Sequence, residues 1–174
     1  MMTPTIAILD HGCPLQLDFA ALCAYHGGCA LAGAAIGFQA MAAAGCALSA
    51  KQTWDRQDLQ VVSWHDGPGV QDAIEWVTRA ITRGRYRHAT DAQVPNCSSS
   101  AAFRFEVADS KRRVRVQLRE GIIPPRFFAL ASLQSRCAEQ VTELSELKSA
   151  VSSLVMATSI EQLFMLEVLE PVHA

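Results

Sequence analysis

The chain is poor in charge, with only 18% of its residues Asp, Glu, Lys or Arg, so it does not have the composition of a disordered, self-repelling segment. Its first residues, "MMTPTIAIL", lack the basic start and apolar core of a secretory signal. We therefore read the six cysteines, Cys13, Cys23, Cys29, Cys46, Cys97 and Cys137, as reduced thiols of a cytoplasmic protein rather than a disulfide framework. The longest apolar run, Cys29 to Ala50, is cut by Gly33, Gly37, Gln39 and Gly45 and is rich in alanine, which argues against a membrane span. Neither G-x-G-x-x-G nor a Lys-Ser/Thr after glycines is present, so "GGCALAG" fails as a nucleotide loop. From Phe127 to Glu170 there is no glycine or proline, and nothing in that segment breaks a helix.

What is abundant is apolar surface. Half of the 174 residues are hydrophobic, enough for a well-covered core plus a face for a second copy, and we expect a homodimer. The net charge of −2 hides an asymmetry: residues 79–119 hold ten bases and three acids, while residues 1–78 and 120–174 hold seven acids each. A basic block of this kind meets anions or acidic flanks. Its outward hairpin positions lack stacking aromatics, which disfavours nucleic acid.

Periodicity predicts a helix over 15–25, placing Leu15, Phe19 and Leu22 together, and stopping at His26-Gly27-Gly28. A second helix follows to Gly45, in which Gly33 and Gly37 let another backbone come close. "LQVVSW" reads as a strand and "VQDAIEWVTRAIT" as an amphipathic helix. "FRFEVADSKRRVRVQL" alternates as a β-hairpin, with Phe103, Phe105, Val107, Val114, Val116 and Leu118 on one face. Pro124-Pro125 marks a boundary between residues 1–125 and 126–174. The latter reads as a long helix through Leu130, Val141 and Leu154, then a last helix "IEQLFMLEVLE" opened by a Thr158/Glu161 capping box. The fold class is α+β: helices on a small antiparallel sheet, plus a C-terminal helical arm for dimerisation.

His26 and Cys29 flank the double glycine, and His65 with Asp66 follows a strand. Imidazole and thiolate suit zinc and similar ions, but this pair supplies two ligands and leaves His65, Asp72 or His11 to complete a site. Spacing equally allows a buried thiol beside a core histidine. It also allows a Cys29 nucleophile at a helix start with His26 as base.

Three segments resemble the FmdE-domain family, named for a component of formylmethanofuran dehydrogenase, whose signature is HGHxCPGLAxGYRAA, then a strand, C-x-x-DAIQ, a helix, TxGK and a hairpin. "YHGGCALAGAAIGFQAM" is similar to the first, "GVQDAIEWVTRAITRGR" to the middle and "FRFEVADSKRRVRVQL" to the hairpin. The resemblance implies a divalent metal, usually zinc, held by His26 and Cys29 with His65 or Asp72. It also implies an accessory role in one-carbon metabolism, binding an anionic pterin-like or methanofuran-like cofactor through Thr82, Arg83, Arg85 and Arg87. The departures fall at the ligands: Gly28 stands at the second histidine and Ala30 at the cysteine, or, in a shifted register, Cys29 and Leu31 do, while Gly69 stands at the cysteine before DAI, Ile81 at a later thiol and Arg85 at the lysine. A site without metal, an enzyme of C1 transfer or cofactor biosynthesis, and a structural or regulatory dimer with a decayed site all remain open on these residues.

Overall fold

A computed structural model describes residues 5–28, 30–50, 52–90 and 99–169. The chain opens on a hairpin, β1 (Thr5–Asp10) and β2 (Cys13–Asp18), paired in antiparallel register from Thr5 opposite Asp18 to Asp10 opposite Cys13. Its two-residue loop, His11-Gly12, has both φ values positive, 53° and 77°, the turn that matches strand twist. Asp55 holds this loop by accepting from the His11 and Gly12 N–H groups. The helix expected from Leu15 thus starts later: α1 runs Phe19–His26. Asp18, extended at φ −111°, ends the strand and caps the helix, its Oδ1 accepting from the Ala21 N–H at 2.7 Å. Gly27, at φ 75°, closes α1 as the double glycine suggests.

Next comes α2 (Leu31–Leu48), buried on nearly all sides because it is apolar all round. It is long and apolar enough to cross a membrane by length and composition, and 72% of it is buried inside the fold. A β–α–β unit follows: β3 (Gln60–Ser63), α3 (Pro68–Thr78) and β4 (Tyr86–His88), with β4 parallel to β3. The alternating segment forms β5 (Arg104–Ala108) and β6 (Arg113–Leu118), with Phe105 opposite Val116 and Val107 opposite Val114. These inward residues are buried against α2.

The C-terminal third departs most from expectation. The long helix is broken into α4 (Pro125–Ala131) and α5 (Ala138–Ala157). Arg136 folds back to donate to the Leu130 and Ala131 carbonyls, both at 2.6 Å, which satisfies the exposed end of α4. The last helix is one turn, α6 (Ile160–Leu163), leading into β7 (Phe164–Leu169). Phe164, Leu166 and Val168 alternate and pair with Leu118, Val116 and Val114 on β6. This cross-strand ladder overrides the local helix signal. The fold is α+β, with a two-stranded antiparallel sheet and a mixed five-stranded sheet of order β4-β3-β5-β6-β7. α5 lies along α2, where Gln39 donates to the Val155 carbonyl.

Candidate functional site at the junction of α2 and α3

Small residues let α2 and α3 meet almost backbone to backbone. A Cβ on Gly37 would lie 2.8 Å from the Ala73 Cβ, and one on Gly69 would lie 2.3 Å from the Ala30 carbonyl oxygen. Close approach of this kind needs glycine. It carries Ala30 against the start of α3, and across the same junction His26 meets Asp72.

His26 and Asp72 come together. The His26 side chain is only 3% exposed, and its Nδ1 donates to Asp72 Oδ2 at 2.6 Å. Its Nε2 accepts the Ala30 N–H at 3.0 Å. The pattern places the proton on Nδ1. The imidazole clasps the turn between two helices to α3.

His65 occupies the approach to α3, following β3. Its Nδ1 accepts the Gly67 N–H at 2.9 Å, and its ring stacks on Phe103 with centroids 4.1 Å apart. Its backbone is held by Ser63, whose hydroxyl accepts from the His65 N–H and donates to the His65 carbonyl. Burial pushes its pKa down to about 4; nearby His88 pushes the same way and Asp66 opposes both. His65 is therefore neutral near pH 7, with its proton on Nε2.

A neutral imidazole has one lone pair in the ring plane. In His26 it meets the Ala30 N–H and in His65 the Gly67 N–H, so these donors do not fit a divalent ion as they stand. Among the described residues no three His, Cys, Asp or Glu side chains are gathered for a metal. Cys29, the fourth nominated ligand and the candidate nucleophile, lies outside the described residues.

Beside this clasp opens a largely apolar pocket of about 340 Å³. His65, Phe103, Phe127 and Phe128 line it, together with Arg136 and Lys148. The volume falls in the small-molecule range. Phe127 and Phe128 are not legible as pocket residues in the sequence, because Pro124-Pro125 reads as a boundary. Pro125 instead starts α4 and turns both rings toward the core. Lys148 and Arg136 are hidden in what reads as one uninterrupted helix.

The proposed anion residues scatter. Thr82 donates its N–H and hydroxyl to the Glu75 carboxylate. Arg83 pairs with Asp10 at 3.0 Å, and Arg56 pairs with the same carboxylate at 2.6 Å. These two guanidiniums hold the Asp10 carboxyl far below the usual carboxylate range. Arg85 precedes β4 and donates its N–H to the Ala80 carbonyl. Arg87 is exposed on β4, on the face opposite Tyr86 and His88. The hairpin arginines meet acids too: Arg115 bridges Glu106 and Glu167, both at 2.9 Å, while Arg104 stacks over Trp64. Much of the basic block is thus consumed within the fold. Compared with known proteins, the chain matches no family model and no curated protein.

Proposed function

We propose that this chain is a binding protein of one-carbon metabolism that seats a flat, anionic, pterin-like cofactor in the pocket beside the α2–α3 junction. The observation that carries this reading is the neutral His65 ring stacked on Phe103 at the wall of an apolar pocket that also has Arg136 and Lys148 in its lining. Flat heterocycles pack well on such rings, and an acidic tail gains from fixed cations. Arg136 is held by the α4 carbonyls, so little freedom is lost when an anion arrives. The resemblance to the FmdE-domain family points to the same cofactor class.

The role supported by this pocket is holding and orienting a ligand. The test is titration of the purified chain with pterin-6-carboxylate, followed by the ligand's own fluorescence. Saturable binding is expected, weakened about tenfold or more by Phe128→Ala and by Lys148→Glu. Absence of saturation up to about 1 mM ligand, the weak end of specific binding, refutes the proposal. So does unchanged affinity in both variants.

A further inference from the structure

We propose that the ligand of the aromatic pocket is a pterin whose ring carries an aryl arm ending in a carboxylate, the arm lying in a second cavity that abuts the first. The inference rests on the pterin reading above and names what extends beyond the ring. The aromatic pocket of about 340 Å³ and its neighbour of about 440 Å³ have Arg136, Leu144 and Lys148 in common. Arg136 and Lys148 are long side chains and only partly buried. An arm leaving the ring passes between the cavities along these side chains.

The two cavities differ in chemistry. The first is walled by Phe103, Phe127 and Phe128 and suits a flat ring. Among the described residues no aromatic side chain lines the second. Its main wall is one face of α5, where Val141, Ser145 and Ser149 follow each other four residues apart and Leu144 and Lys148 lie beside them at the same spacing. Leu31, the first residue of α2, also lines it. Leu31, Val141 and Leu144 give the body of the arm an apolar bed, and Val141, 54% exposed, gains by being covered. The serine hydroxyls and Lys148 suit the carboxylate at its end.

The charge around this route is of one sign. Among the described residues no Asp or Glu lines either cavity. Glu143 belongs to a different stripe of α5, where Arg126 holds it at 2.6 Å. The start of α2 adds to the positive field, since Leu31 lines one cavity while Ala30, Ala32 and Gly33 line the other. A rigid aryl spacer reaches past the shared side chains with little loss of freedom.

The experiment is calorimetric titration of the full chain with pteroate, which carries a p-aminobenzoate arm, against pterin-6-carboxylate, which has none. Pteroate is expected to bind about tenfold tighter. Ser145→Phe and Ser149→Phe each fill the second cavity without changing charge, and both replace exposed positions of α5. Each is expected to weaken pteroate about fivefold or more and to leave pterin-6-carboxylate within about twofold of wild type. Saturable pterin-6-carboxylate binding with no gain for pteroate overturns this proposal and leaves the pterin pocket standing. Wild-type pteroate affinity in both variants does the same, as does an equal loss for both ligands. Absence of saturation by either ligand up to about 1 mM refutes both readings together.

Discussion

Two histidines, one at the end of α1 and one just ahead of α3, do different work. His26 lies in the turn between α1 and α2 with both nitrogens engaged, one by a carboxylate and one by a backbone N–H, and its side chain is 3% exposed. His65 gives one nitrogen to Gly67 and lays its ring along Phe103 at the wall of an aromatic pocket. The same side chain fastens the fold in one place and lines a pocket in the other. What separates them is the neighbour: Asp72 and Ala30 enclose the first, Phe103 and the pocket flank the second.

The contact that both depend on should be the most sensitive. Gly69→Ala puts a Cβ 2.3 Å from the Ala30 carbonyl oxygen and 2.8 Å from the Ala34 nitrogen, both backbone atoms with little room to yield. We expect a loss of about 3 kcal/mol or more, a fall of roughly 10 °C in Tm by calorimetry. A Tm unchanged by this substitution would show that the helices do not meet as described.

His65 should mark its burial in the pH dependence of stability. Its folded pKa of about 4 lies below the ordinary 6.5, so the unfolded chain takes the proton first. This contribution is fully present above pH 6.5 and is lost as pH falls toward 4, by up to about 3 kcal/mol. Urea melts across that window should show the slope, and His65→Asn, which retains an acceptor near the Nδ1 position, should flatten it. An equal slope in the variant would assign the titration elsewhere.

A smaller effect is expected at His26. Replacing it with alanine strands the Ala30 N–H and removes the tie to Asp72, for about 2 kcal/mol by urea denaturation. Asp72→Asn, with the Asp72 side chain 35% exposed, should cost less than about 1 kcal/mol. A larger loss for Asp72→Asn than for His26→Ala would reverse the roles given to the pair.

The parts legible in the sequence are those fixed by local chemistry. The β5–β6 hairpin follows from strict alternation, the stop at Gly27 from its left-handed φ, and the approach of α3 to Gly33 and Gly37 from two glycines one turn apart. The illegible parts depend on distant partners. Leu15, Phe19 and Leu22 have helical spacing, but residues 13–18 pair with β1 through the His11-Gly12 turn, which Asp55 fastens from far along the chain. The Thr158/Glu161 pattern resembles a helix start, whereas Phe164–Leu169 gains more by pairing with β6. At the site, sequence brought His26, Asp72 and His65 to notice. Their roles depend on which N–H groups reach each ring, and that is decided only when α2 and α3 pack.

If His26 is a clasp and His65 a ligand wall, the two imidazoles must differ in tautomer and in their response to ligand. Long-range ¹H–¹⁵N spectra test this directly, before and after adding pterin-6-carboxylate or Zn²⁺. We predict a proton on Nδ1 of His26 and on Nε2 of His65, with pterin-6-carboxylate shifting the His65 ring and neither addition disturbing His26. A His26 nitrogen that moves to a metal-bound shift with Zn²⁺, or a His65 ring unmoved by pterin-6-carboxylate, would contradict it.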